Sequence, residues 1–204
     1  MAHAVLIPFR TANSQQHIVS TAGGYDEEQV TTVTSDLRSN ADLSGLEGLY
    51  KGNILMPGWN KVQPDRIVCT DSPHLVAVLA SLGAGDTLYI RGHCSAGGSL
   101  LESSDHTVTI GISNLVALLN GKLPGTFSGK VKIYACESGA STGAFWWKEE
   151  SFAKKLSDAM IGAGWNACGY YGYTEELSTW VVNGHKRVGA DHSKRARSVR
   201  VRVG

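Results

Sequence analysis

An imidazole and a thiol, 43 residues apart, each follow a strand-like apolar run: Thr87-Leu-Tyr-Ile-Arg-Gly92-His93-Cys94 and Lys130-Val-Lys-Ile-Tyr134-Ala135-Cys136-Glu137-Ser138-Gly139. The thiolate is the attacking species, and a free cysteine is mostly protonated at neutral pH. A neighbouring imidazole can take that proton during attack and return it to a leaving amine. A strand-end cysteine also offers its own backbone N–H to the oxyanion of a tetrahedral intermediate, and a second N–H can come from the loop after the histidine. Preorganised donors of this kind are worth roughly 2.7–4 kcal/mol each in the transition state. Small residues at both strand ends leave room for such geometry: Gly92, Ala96, Gly97 and Gly98 near His93, and Ala135, Ser138 and Gly139 near Cys136. The competing assignments are structural. Free cysteine is among the most buried residue types, and a hydrogen-bonded core histidine is common.

The elements around the pair alternate. Ala4–Phe9 reads as a first strand and Ile67–Cys69 as a short one. A helix is predicted from Ser72-Pro73 to Leu82, with Ser72 as cap and proline at the first helical position. Thr87–Arg91 is predicted as a buried strand, and Ser113 is expected to cap a helix through Leu119 that Gly121 stops. Val131–Ala135 is the next buried strand. Glu149–Ala163 carries Phe152, Ala153, Leu156, Ala159, Met160 and Ala163 at helical spacing. Ala167–Tyr171 and Val199–Val203 are predicted as closing strands, the latter alternating with period two as an edge strand does. This order argues for an α/β fold, a mostly parallel central sheet with helices on both faces, in which chemistry collects at the carboxyl ends of the strands. Residues 11–66 are weakly patterned, with one helix expected near Asp26–Leu37 and an irregular Gly-rich stretch at Leu43–Trp59.

At 204 residues the chain fits one domain, 1–204, with a core that needs no disulfide or metal staple. Its net charge of +1 carries no general polyelectrolyte signal, so nucleic acid is not an expected partner. The segment from His185 onward is locally basic, with Lys186, Arg187, Lys194, Arg195, Arg197, Arg200 and Arg202 against Asp191. It reads either as a surface for an acidic partner or as an edge strand with charged gatekeepers. The cysteines Cys69, Cys94, Cys136 and Cys168 are widely separated and form no CxxC pair. Cys69 and Cys168 are expected in the core, while Cys94 either packs or joins Cys136 in a regulatory disulfide. No signal peptide or membrane span is recognised, which suggests a reducing cytosol, or a host cytosol for an exported effector. Zinc at His93, Cys94 and Cys136 lacks a fourth ligand with recognisable spacing, and the Cys136 loop lacks the arginine of a cysteine phosphatase.

The two motifs resemble those of caspase-like cysteine peptidases, the clan CD group of caspases, metacaspases, clostripain, gingipains and toxin autoproteases. Their hydrophobic strands end in His-Gly and later in Ala-Cys or a similar pair, with the histidine about 50 positions upstream. The likeness spans roughly Arg66–Tyr173, including the helix near Ser151–Met160 and the strand at Gly169-Tyr-Tyr-Gly-Tyr. It implies a three-layer, caspase-like sandwich and a cysteine endopeptidase acting on protein or peptide substrates without a metal or other cofactor. By the same resemblance Cys136 is the nucleophile, His93 the general acid/base, and the Cys94 and Cys136 amides form the oxyanion hole. Two positions depart from the family pattern: Cys94 replaces the usual glycine after the histidine, and Tyr134 stands where Lys/Arg-cutting members carry aspartate at the base of S1. Strict basic specificity is therefore disfavoured, and self-cleavage near Lys186–Arg187 or Lys194–Arg197 with it. Tyr134, Trp146 and Trp180 are the expected substrate-binding positions. An inactive interaction module using the basic carboxyl-terminal segment, and a Cys94/Cys136 redox switch, are the other functions weighed.

Overall fold

Short apolar runs bounded by Gly, Asp and Pro become the ribs of one sheet. The computed structural model describes residues 2–14, 66–144, 146–182, 185–188 and 194–204, with backbone alone at 178–182 and 185–187. The expected helix near Asp26–Leu37 and the Gly-rich stretch at Leu43–Trp59 lie outside the described residues. In chain order the elements are β1 (His3–Ile7), β2 (Ile67–Cys69), α1 (Leu75–Ala80), β3 (Thr87–Arg91), β4 (Leu100–Glu102), β5 (Thr109–Gly111) and α2 (Ile112–Leu119). There follow β6 (Lys130–Tyr134), α3 (Phe152–Gly162), β7 (Gly169–Tyr173), β8 (Leu177–Val182), β9 (His185–Val188), β10 (Lys194–Arg195) and β11 (Arg200–Arg202).

Among the described residues, the central sheet has six strands in the order β11-β7-β6-β3-β1-β2. All its pairings are parallel except β11 with β7, which is antiparallel. The protein is thus an α/β fold with a mostly parallel central sheet. The strand order reverses at β1, which leads to β2 on one side while β3 leads on to β6 on the other. That reversal lies at the carboxyl ends of β1 and β3, the place where open α/β sheets hold ligands. The crossovers carrying α1, α2 and α3 all advance in one direction, so right-handed connections put these three helices on the same face. Ala80, Asn120, Pro124, Ala163 and Trp165, from the ends of these helices, line one shallow cleft, as that arrangement requires.

Register separates the two faces of the sheet. Leu6, Ile90 and Ile133 align across β1, β3 and β6, as do Leu88, Val131 and Tyr170 across β3, β6 and β7. These side chains are buried on the helix-covered face, each aliphatic one contributing about 1.5–3 kcal/mol. The opposite face presents Tyr89, Arg91, Lys132, Tyr134, Tyr171 and Tyr173. A second sheet, β10-β9-β8, lies over part of it, so that Leu177, Val188, Ala196 and Val199 pack with Tyr134 and Tyr173. Strands buried on both faces are ordinarily apolar throughout. Here the alternation Thr-Leu-Tyr-Ile-Arg and Lys-Val-Lys-Ile-Tyr marks one face for aliphatic packing and one for aromatic–cation packing, with Lys132 5.0 Å from the Tyr89 ring centre.

Helix starts differ from the sequence expectation. The Ser72 hydroxyl accepts the Cys69 N–H at 2.8 Å instead of capping, and α1 begins at Leu75. Ser113 lies inside α2, whose cap position is Gly111 in extended conformation at the end of β5. α3 starts at Phe152, with Ser151 accepting the Lys154 N–H at 3.2 Å, so Glu149 and Glu150 precede it. Among the described residues no helix is long and apolar enough to cross a membrane.

Candidate functional site

β3 and β6 pair in register, with Arg91 opposite Tyr134. His93 and Cys136 each lie two residues beyond that pair, so the sheet delivers them at equivalent positions on neighbouring carboxyl ends. Three hydrogen bonds join the loops that carry them. The Cys94 thiol donates to the Cys136 carbonyl at 2.8 Å, the Ala96 N–H to Glu137 Oε2 at 3.3 Å, and the Gly97 N–H to the Ala140 carbonyl at 2.9 Å.

The Cys136 turn is anchored in the core. Glu137 has φ of 51°, a left-handed conformation that L residues adopt at a cost, and its N–H donates to the Glu175 carbonyl at 3.2 Å. Ser138 is fully buried, donating to the Ile133 carbonyl at 2.7 Å and accepting the Tyr173 N–H at 3.1 Å. Gly139 runs directly against β7. A Cβ there would stand 2.8 Å from backbone atoms of Gly172 and Tyr173, so only glycine fits. Its N–H donates to the Tyr173 carbonyl at 2.7 Å, and the first turn of α3 joins in through Ala153 N–H to the Ser138 carbonyl at 2.8 Å.

The His93 loop is held from outside. His93 and Glu102 pair as an antiparallel bridge, their backbone bonds measuring 3.0 and 2.9 Å, so the β4–β5 hairpin folds over the strand end. Lys155 on α3 donates to the Gly97 carbonyl at 2.8 Å and to Ser99 Oγ at 2.9 Å. The His93 ring stacks on His106, with centroids 4.9 Å apart and planes 21° off parallel. The Cys136 thiol lies against β8, where the Leu177 N–H donates to its sulfur at 3.4 Å and the Leu177 carbonyl lies 3.8 Å away.

Both groups rest uncharged at neutral pH. Burial pushes the His93 pKa down to about 4, helped by the charges of Arg91 and His106 and opposed by Glu102. Burial also raises the Cys136 thiol above its ordinary value, opposed by the Leu177 N–H and by Arg91. Burial raises Cys94 further, with Cys136 and Glu137 adding to it. A neutral imidazole is able to accept a proton, and a neutral thiol needs that acceptance to attack.

Tyr134 is 4% exposed and meets Tyr173 edge-on at 5.4 Å beneath the Cys136 turn. Trp146 is 82% exposed and Trp147 73%, on a loop whose base is the Thr142–Glu149 bridge just past the Cys136 turn. Trp180 lies on β8, and its side chain is outside the described residues. Cys69 and Cys168 are buried core residues, as expected. Among the described residues no group of three or more His, Cys, Asp or Glu is placed to hold a metal ion.

Arg91 and His106 were not recognised as site residues from the sequence. Arg91 is 5% exposed, its guanidinium 4.7 Å from the Tyr134 ring centre and donating to the Tyr134 carbonyl at 3.2 Å. An arginine closing an otherwise strand-like run two residues before His93 was the available signal, since arginine is almost never fully buried unless paired. His106 follows Asp105 in sequence and reads locally as a turn residue. Its contact with His93 depends on the hairpin folding back.

Comparison with protein-family models, curated proteins and solved structures finds no match. The site therefore carries the functional argument by its own geometry.

Proposed function

We propose that this protein is a cysteine endopeptidase with a caspase-like, three-layer α/β sandwich. Cys136 is its nucleophile and His93 its general acid/base. The observation that carries the reading is the in-register delivery of an imidazole and a thiol to adjacent carboxyl ends of parallel strands, the thiol followed by a strained Glu137. As the Cys136 sulfur bonds to the scissile carbonyl carbon, its proton passes to His93, and the oxyanion is met by the Cys136 and Cys94 amides. His93 then protonates the departing amine as the C–N bond breaks, leaving a thioester. Water attacks the thioester, its proton passing to His93 and on to the sulfur as the carboxylate product leaves.

Tyr134, with Arg91 against its ring, is buried beneath the Cys136 turn. Tyrosine where basic-specific members carry aspartate disfavours a Lys or Arg P1 side chain, and self-cleavage in the basic segment is disfavoured with it. The exposed Trp146, with Trp147, offers an apolar grip on residues flanking the scissile bond, and Trp180 belongs to the same proposed substrate-binding set.

The test incubates wild type, Cys136→Ala and His93→Ala with a proteome-derived peptide library and reads new termini by mass spectrometry. Cleavages specific to wild type, depleted in Lys and Arg at P1, are expected. A second reading, an inactive interaction module that binds a partner through its basic carboxyl-terminal segment, is favoured by the resting state of the pair. Its thiol is raised, its imidazole is lowered, and the two side chains lie against Leu177 and His106. No new termini and no alkylation of Cys136 would select that reading.

A further inference from the structure

We propose that His106 is a positioning residue for His93, held face to face with it by a turn shaped for that purpose. The proposal rests on the reading of His93 as general acid/base. Three contacts close a small unit. The His93 and Glu102 backbones pair as a bridge, His106 Nδ1 bonds Glu102 Oε2 at 2.8 Å, and the two imidazoles stack at 4.9 Å. Glu102 therefore orients the second ring while its own backbone registers the first.

The turn itself departs from local preference. His106 has φ of 57°, a conformation that favours glycine and costs an L residue energy. The surroundings impose it. Asp105 accepts the Ser103 hydroxyl at 2.5 Å and the Asn13 amide at 3.0 Å, and Ser104 N–H donates to the Asn13 carbonyl at 3.1 Å. Asn13 belongs to the loop after β1, so both sides of the strand-order reversal are tied through this turn. Strain enforced by its surroundings is characteristic of positions with a functional constraint.

Stacking restricts rotation of the His93 ring, and a general base delivers its rate advantage only when held in near-attack geometry. The charged groups that face His93 are Arg91 from β3, Glu102 from β4 and His106 from the turn. Arg91 and a protonated His106 make His93 a weaker base, and Glu102 makes it a stronger one.

The test compares wild type, His106→Asn and His106→Phe, using a peptide that wild type cleaves in a Cys136-dependent way. Asparagine tolerates the positive φ and retains a polar group for Glu102 but has no ring, while phenylalanine keeps the stack without the proton. We expect His106→Asn to lower kcat about tenfold with KM within about twofold, and to shift the His93 ring resonances in NMR. His106→Phe keeps a ring for the stack but loses the Glu102 bond and is strained at this φ, so it should recover only part of kcat. Unchanged kcat in His106→Asn, or unchanged His93 ring resonances in that variant, overturns the positioning role alone. Absence of Cys136-dependent turnover in wild type overturns the peptidase reading and this inference together.

Discussion

The two loops that carry Cys136 and His93 are built in opposite ways. The Cys136 turn is fixed from beneath. Ser138 is bonded to β6 and β7, Gly139 is pressed on the β7 backbone, and the start of α3 closes over the Ser138 carbonyl. The His93 loop is fixed from above, by the β4–β5 hairpin, by Lys155 and by a stacked ring on an exposed turn. The Cys136 turn is therefore tied into the folding unit, while His93 is held by contacts from the β4–β5 hairpin, α3 and an exposed turn. Substitutions around the thiol should act first on stability, and those around the imidazole first on turnover.

That division can be broken most directly at Gly139. Gly139→Val drives a side chain into Val201 and into the Gly172–Tyr173 backbone. Urea unfolding should show a loss of about 3 kcal/mol or more, at the upper end of overpacking effects because backbone has to move. A stable Gly139→Val protein would mean that the turn is not core-anchored. Ser138→Ala is the milder version. It leaves a buried Tyr173 N–H and an Ile133 carbonyl without their partner, and should cost about 1–3 kcal/mol in the same measurement.

On the other side of the comparison, Lys155→Met removes the bonds from α3 to the Gly97–Ser99 stretch. Stability should change by about 1 kcal/mol at most, while kcat should fall severalfold. An equal loss in both would erase the distinction between the loops.

The smallest effect is on the pH profile. His93 must be neutral to accept the thiol proton, so kcat/KM should fall as pH drops through about 4. The same depressed pKa favours the folded state at pH values above the ordinary histidine range and ceases to do so as pH falls toward about 4. Cys136 is raised, so its alkylation by iodoacetamide should keep accelerating beyond the ordinary thiol range. An acid limb near pH 6.5 would place His93 in open solvent, contrary to its burial.

Much of this arrangement was legible in the sequence. β3 and β6 were recognisable as strand-length runs carrying His93 and Cys136 just past their carboxyl ends; their equal spacing emerges only from the structural register, with Arg91 opposite Tyr134. The basic carboxyl-terminal segment, read as either a partner surface or an edge strand, forms β11 at the edge of the sheet, pairing among the described residues with β7 alone. What escaped was long-range. Ser72 and Ser113 look like helix caps, but the first is drawn to the Cys69 N–H and the second is overtaken by a helix that begins where β5 ends. Tyr134, expected at the base of a substrate pocket, lies beneath the Cys136 turn because β8–β10 fold back over that face. Arg91 and His106 gain meaning only once the same face and the β4–β5 hairpin are in place, and no local propensity encodes either.

The most direct test of the central claim is acid-quench trapping of the acyl-enzyme, with the modified residue mapped by mass spectrometry. Wild type mixed with an activated peptide ester should carry a thioester on Cys136, absent in Cys136→Ala and formed at least tenfold more slowly in His93→Ala. A thioester distributed equally over Cys94 and Cys136, or one whose rate ignores His93, would contradict the account.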